Sequence, residues 1–227
     1  MAETKWVALS VGGSLLNDGK PNAKMASSLA KIFMQTKMRL AIVVGGGKEA
    51  REAADAQRKM GKSEFYADMA GIKVTHKNAD ALRQALGKEA GKKIFSDFEG
   101  AAKASHTQKY VIMGGTIPGI TTDADACLLA EAIGAKQLVN LSKTAIYSGD
   151  PSKNKNAKKF SRLKYSQLIS LATKGDKRKA GTHFVFDLLA CSLISRSKIK
   201  AHFVDGRNSS DVKNAILGKK HNGTVVG

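Results

Sequence analysis

Apolar residues in this chain come in short runs, each closed by glycine and followed by a stretch whose apolar positions recur every three or four residues. WVALSV (Trp6 to Val11) runs into Gly12-Gly13-Ser14, and a helical pattern follows from Asn22 to Lys37. RLAIVV (Arg39 to Val44) runs into Gly45-Gly46-Gly47, followed by an alanine-rich, charged helix from Lys48 to Met60. YVIM (Tyr110 to Met113) runs into Gly114-Gly115-Thr116-Ile117-Pro118-Gly119, followed by the helix TDADACLLAEAIG from Thr122. Strands that are apolar throughout, rather than alternating, are buried on both faces, which is the condition of a parallel sheet covered by helices. The pattern predicts an α/β fold: a three-layer α/β/α sandwich with a mainly parallel central sheet and its ligand site at the glycine turns.

The remaining segments extend the same plan. Glu64 to Ala90 reads as one or two helices, KKIF (Lys92 to Phe95) and QLVNL (Gln137 to Leu141) as strands, and the lysine-rich stretch after Asp150-Pro151 as a loop. Tyr165 to Thr173 and Val185 to Ser197 carry helical spacing, KAHFV (Lys200 to Val204) is a strand, Asp211 to Leu217 a last helix, and GTVV (Gly223 to Val226) a final edge strand. No low-complexity linker interrupts the chain, so residues 1–227 read as a single domain with two lobes, 1–140 and 141–227, sharing one sheet. No apolar run approaches the ~20 residues that span a bilayer, and the N-terminus lacks the apolar stretch of a secretory signal. A cytoplasmic protein is the expectation.

Charge changes the picture only in part. The chain carries 38 Lys and Arg against 19 Asp and Glu, a formal net charge of +19. Residues 1–150 hold 21 basic and 15 acidic side chains, whereas 151–227 hold 17 and 4, so the excess is mostly C-terminal. Such a field attracts polyanions. A solvated surface, a phosphate-binding lobe and a nucleic-acid footprint all fit it. Against nucleic acid, aromatics make up only 6% of the chain and are scattered, leaving no stacking platform. The two cysteines, Cys127 and Cys191, lie far apart in apolar helical segments and read as buried reduced thiols. The five histidines show no zinc-ligand spacing, and no metal site made by protein ligands alone is expected.

A glycine turn opening a helix presents backbone N–H groups and the positive end of the helix dipole, with no Cβ to block approach; it is suited to phosphate. Three such turns point to several phosphates. The usual ATPase loop is absent, since Gly61-Lys62-Ser63 has Ala56 where the first glycine belongs. Gly45 to Ala50 fits a loose dinucleotide pattern, but that site uses the first strand of its domain and leaves the other turns idle. There is no G-x-S-x-G elbow, and Ser14 has no placeable His and Asp partners.

Assembled in order, VGGSLL (Val11 to Leu16), VVGGGKEAR (Val43 to Arg51), MGGTIPGITTDADACLLAE (Met113 to Glu131), YSGDP (Tyr147 to Pro151), AKKF (Ala157 to Phe160), AGTHFVFDLLACSLISRSKIK (Ala180 to Lys200) and NGTVV (Asn222 to Val226) resemble the archaeal-type uridylate kinases of the amino acid kinase superfamily over nearly the whole chain. The resemblance implies transfer of the γ-phosphoryl of ATP, with Mg2+, to UMP in pyrimidine nucleotide synthesis, by a homo-oligomer, usually a hexamer. It implies a UMP-binding lobe over 1–140 and an ATP-binding lobe over 141–227. By position it implies that Ser10, Val11, Gly12, Gly13, Ser14, Gly47 and Arg51 hold the ATP phosphates. Ser142, Tyr147 and Asp150 would line the ATP nucleoside pocket. Gly46, Asp68 and the stretch Thr116, Ile117, Pro118, Gly119, Ile120, Thr121 and Thr122 would hold UMP, with Asp68 suited to ribose hydroxyls. No residue is implied as catalytic.

Each assignment has a plainer alternative. The alternative for Arg51 is an exposed charge, for Asp68 a helix-surface acid, for Tyr147 a core position, for Asp150 the start of an Asp-Pro turn, and for Thr121 a helix cap, which does not exclude a phosphate contact. Three departures from the family pattern stand out. Ser10 occupies a position that is lysine in many superfamily members, the segment Lys143 to Tyr147 is one residue short, and Asp125 replaces an apolar residue. Two other readings therefore stay open: a related kinase with a different small acceptor, and a nucleotide- or RNA-binding protein on a decayed kinase scaffold.

Overall fold

The computed structural model describes residues 5–149, 151, 154–175 and 186–227. The chain begins with β1 (Trp6–Val11), a short α1 (Gly13–Leu16), α2 (Ala23–Thr36) and β2 (Arg39–Val44). There follow α3 (Gly47–Lys59), α4 (Glu64–Leu86) with a 3-10 turn after it, α5 (Phe98–Ala104), β3 (Tyr110–Met113), α6 (Thr122–Ala132) and β4 (Gln137–Ser142). The last part contains β5 (Arg162–Leu163), α7 (Tyr165–Gly175), α8 (Leu188–Arg196), β6 (Lys200–Asp205), α9 (Ser209–Ile216) and β7 (Thr224–Val226).

Seven strands form one sheet in the order β3-β2-β1-β4-β6-β7-β5. All pairings are parallel except β6 with β7. The register aligns Val11 with Val44 and with Leu141, and Val43 with Met113, so the turns after β1, β2, β3 and β4 emerge along one edge. That alignment creates the site.

Alternate residues of each strand feed two cores. Val7, Leu9 and Val11 face α2, α4 and α9, packing with Leu29, Phe33, Leu82 and Val212. Ala8, Ala41 and Val43 face the opposite layer, with Ala124, Ala126 and Leu129 of α6 and Ala190 and Ile194 of α8. Small residues on both surfaces bring α6 close to the sheet, which is how a close-packed interior sets the height of a helix. The three-layer expectation is met.

Local signals explain the boundaries. Asn22 caps α2 by accepting from the Met25 N–H, and Lys37 ends it in the left-handed region at φ 57°. Asp187 caps α8 by accepting from the Ala190 N–H, so that helix starts at Leu188, later than the apolar spacing from Val185 implied; Val185 lies outside the described residues. Two readings need correction. KKIF forms no strand: Phe95 makes a single parallel bridge to Met113, because the lysines before it hold that segment at the surface. GTVV is not at the edge, because the two-residue β5 pairs outside it. β5, α1 and α5 are too short to leave a period in the sequence. Among the described residues no helix is long and apolar enough to cross a membrane. Cys127 and Cys191 are buried free thiols, and burial pushes the Cys191 thiol up to about 12.

Candidate active site

The first two glycine turns are packed backbone on backbone. A Cβ placed on Gly13 would lie 2.1 Å from the Gly47 nitrogen and 2.5 Å from the Gly46 nitrogen. Gly47 itself has φ 70°, and a Cβ there would sit 2.2 Å from the Asn17 carbonyl oxygen. Only glycine satisfies both positions. The two turns are stitched by Gly45 N–H donating to the Val11 carbonyl at 2.9 Å, and Gly12 N–H reaches across to the Leu141 carbonyl at 2.8 Å. Ser10, Val11, Gly12, Gly13, Ser14, Gly46 and Gly47 thus form one continuous cradle over the ends of β1 and β2.

Helix α4 underpins it. Asn78, 3% exposed, donates its amide to the carbonyls of Gly45 and Gly46, each at 3.0 Å, and accepts from the Asn17 amide at 3.1 Å. Asn17 also donates to Glu49, whose carboxyl is held below the usual range by Lys77 and then by Asn17. Nearly three turns earlier in α4, Asp68 accepts from the Gly119 N–H at 2.9 Å. Thr75 accepts from the Gly115 N–H at 2.7 Å, and His76 Nε2 donates to the Gly115 carbonyl at 2.9 Å, which requires the proton on that nitrogen. One helix therefore holds both the second and the third glycine turns.

The third turn leads into α6. Gly119 takes φ 87°, Ile117 is exposed, and Thr121 caps the helix by accepting from the Ala124 N–H at 3.1 Å. Its own hydroxyl donates to Asp187. Thr122 lies between the second and third turns, its Oγ1 3.4 Å from where a Cβ on Gly45 would be. Thr116 is tied to the fully buried Asp125 through both its N–H and its hydroxyl.

Beneath the cradle Ser10 meets Asp123 and Asn140, two residues to which the sequence assigns no role. Ser10 donates to Asp123 Oδ1 at 2.5 Å, and Asn140 donates to the same oxygen at 2.8 Å. The side-chain oxygen of Asn140 is buried without a partner. Desolvation pushes the Asp123 carboxyl up to about 7, the negative charge of Asp187 adds to the rise, and the Ser10 and Asn140 hydrogen bonds oppose it. Asp123 follows the Thr121-Thr122 pair directly; an acid on the first turn of a helix opening from a glycine turn was the available signal.

Other assigned residues sit at the margins. Ser142 ends β4 beside the Gly12 turn, its Cα 3.6 Å from a Cβ placed there, and donates its hydroxyl to the Thr144 carbonyl at 2.7 Å. Tyr147 is half-buried and bridges Lys159, while Ile146 N–H is anchored on the Thr224 hydroxyl. Arg51 is exposed one turn into α3, and Lys48 lies 3.7 Å from Glu52. Pro118 and Ile120, both half-buried, complete the loop before α6. Asp150 lies outside the described residues.

An open, mainly parallel sheet with interlocked glycine turns at its strand carboxyl ends defines a doubly wound α/β protein, a class that binds ligands outside the carboxyl ends of its strands. Residues 5–205 match the amino acid kinase family, and the chain belongs to it. It is similar to the uridylate kinase of Pyrococcus abyssi, 39% identical over 225 residues that cover 97% of this chain and 98% of that one. It is similar to the uridylate kinase of Archaeoglobus fulgidus, 40% identical over 222 residues covering 97% and 99%. The crystal structure of the Archaeoglobus fulgidus uridylate kinase superposes with a TM-score of 0.87 at 38% identity, covering 98% of this chain and 100% of that one.

Proposed function

We propose that this protein is a uridylate kinase, transferring the γ-phosphoryl of ATP to UMP to give UDP and ADP. The observation that carries the reading is the backbone contact of Gly13 with the second glycine turn, which leaves a cradle of amides unobstructed by side chains. The full-length similarity to archaeal uridylate kinases supports UMP as the acceptor.

In this reading Ser10, Val11, Gly12, Gly13, Ser14, Gly47 and Arg51 hold the ATP phosphates, and Ser142, Tyr147 and Asp150 line the nucleoside pocket. Gly46, Asp68 and residues 116–122 hold UMP. The acceptor phosphate oxygen is already anionic, so no side chain has to remove a proton from it. Catalysis then reduces to holding the two nucleotides in line and stabilising charge on the transferring group. Backbone amides of the first two turns and the start of α3 do this without reorganisation. Arg51 supplies a fixed positive charge from α3, which the serine at position 10 does not.

The donor set also fits Mg2+. Among the described residues no three His, Cys, Asp or Glu gather to hold a metal ion, but Asp123, Asp187 and the unpartnered Asn140 oxygen are hard donors next to the cradle. A magnesium ion that keeps most of its bonds to water and nucleotide phosphates needs no more than one or two such groups. When bound, it neutralises phosphate charge. The protein residues orient: Ser10 and Asn140 fix Asp123, and Thr121 fixes Asp187. We further propose lobes of 1–140 for UMP and 141–227 for ATP, action as a homo-oligomer, with a hexamer as the family resemblance implies, and a cytoplasmic location.

A screen of UMP, CMP, AMP and acetylglutamate with MgATP, read as acceptor-dependent ADP release, tests the reading. UMP should lead by at least tenfold; preference for another acceptor would reassign the substrate, and release with none would end the kinase reading.

A further inference from the structure

The third glycine turn carries a feature that positions a substrate-facing group. Thr116 donates its backbone N–H to Asp125 Oδ2 at 3.2 Å and its hydroxyl to Asp125 Oδ1 at 2.6 Å. Asp125 is fully buried on α6, whereas Thr116 is partly exposed on the loop. A hydroxyl at that distance from a carboxyl is the geometry of an ionised acceptor. Burial pushes the Asp125 carboxyl up to about 6, and the two Thr116 hydrogen bonds and then His76 restrain the rise. The titratable groups facing it are His76 from α4 and Asp187 before α8; His76 spends its Nε2 proton on the Gly115 carbonyl.

An ionised carboxylate only accepts hydrogen bonds. The single hydroxyl proton of Thr116 is therefore committed to Asp125, and the oxygen lone pairs are left to accept from a ligand. We propose that Asp125 is a positioning residue that sets nucleobase preference, by fixing the Thr116 hydroxyl as a hydrogen-bond acceptor that receives the imide N3–H of uracil. This rests on the reading of residues 116–122 as the UMP stretch. The monophosphate offers few donors to such an oxygen: its phosphate has none at neutral pH, and its ribose hydroxyls are assigned to Asp68. The base N3–H remains. Cytosine carries a lone pair at N3, so CMP would set lone pair against lone pair.

Asp125→Asn reverses the polarity. An amide has one acceptor, which the Thr116 N–H takes, and its NH2 then donates to the Thr116 oxygen and turns the hydroxyl proton outward. The test is kcat/KM for UMP and for CMP at pH 7.5 with saturating MgATP, in the native enzyme, Asp125→Asn and Thr116→Val. In Asp125→Asn the UMP-to-CMP ratio should fall by about tenfold or more, with an absolute gain for CMP and the KM for ATP unchanged. Thr116→Val should lose UMP efficiency without gaining CMP. A native ratio in Asp125→Asn, or an equal loss of both nucleotides with a raised KM for ATP, would overturn the proposal and leave Asp125 a packing role. Should thermal melting show Asp125→Asn unfolded, an unchanged ratio in Thr116→Val overturns it equally. If the native enzyme phosphorylates neither UMP nor CMP, the acceptor reading itself has failed and takes this proposal with it.

Discussion

The hydroxyl of Ser10 donates to the carboxyl of Asp123 at 2.5 Å, joining the penultimate residue of β1 to the first turn of α6. The contact places a carboxyl group under the glycine cradle, where the fold brings four strand ends together. Replacing Asp123 by Asn should lower kcat by about a hundredfold, a typical loss for an electrostatic group beside a reacting phosphoryl, with the KM for UMP little changed. Steady-state kinetics in both nucleotides check this.

The same residue has a pH signature in stability. The Asp123 carboxyl titrates at about 7 in the folded chain against an ordinary 3.8, so the folded state binds its proton more tightly than the unfolded state. Its contribution therefore falls as pH rises from 3.8 to 7, and above 7 the full cost of a buried charge is present. Asp123→Asn should melt roughly 5 °C above the native protein at pH 8 and lose that advantage near pH 5. Thermal melts across that range decide it; an advantage that grows toward acid would contradict the assignment.

His202 works in the opposite sense. Its Nδ1 lies 2.8 Å from His221 Nε2, its Nε2 is buried without a partner, and burial, then His221, pushes it down to about 4. A depressed histidine lends stability that is complete above its unfolded value of 6.5 and is lost as pH falls toward 4. Urea unfolding from pH 6.5 to 4.5 should show a declining stability in the native protein, and a shallower decline in His202→Asn.

Two glycine-to-alanine changes should have opposite signs. At Gly13 the new methyl would meet the Gly47 nitrogen at 2.1 Å, forcing the first two turns apart, and ATP binding should be lost. At Gly71, within α4, the nearest atom would be 3.8 Å away, so the change should stabilise by about 0.5–1 kcal/mol through helix propensity alone. Calorimetric binding of an ATP analogue and denaturant unfolding separate the two.

Asn78→Ala should leave the Gly45 and Gly46 carbonyls without their buried donor, costing about 2–3 kcal/mol and raising the KM for ATP more than that for CMP or UMP. Equilibrium unfolding together with both KM values measures it.

The sheet and most helices were legible because they are long enough to show a period: Trp6–Val11, Arg39–Val44 and Ala23–Thr36 are continuous apolar or amphipathic runs. Arg162–Leu163 is not, and missing it placed β7 at the edge. In the site, glycine gave away the cradle, since a turn where an added Cβ would lie 2.1 Å from a nitrogen of the next turn leaves no other residue possible. Asp123, Asn140 and Asp187 did not show, because three polar residues far apart in the chain acquire a joint role only when β1, β4, α6 and α8 meet. Asp125 was visible as an oddity on an apolar helix, but its partner at Thr116 follows from the loop geometry alone. The large basic excess of residues 151–227 enters the site nowhere among the described residues beyond its margins, and nothing in the structure explains it.

The most direct test is a radiolabel transfer: ATP labelled at the γ-phosphate, UMP and Mg2+ with the purified protein, products separated by anion exchange. The label should appear in UDP, in step with ADP and without passing through a labelled protein. Label that remains in ATP or is released as inorganic phosphate, with no labelled UDP, would contradict the account.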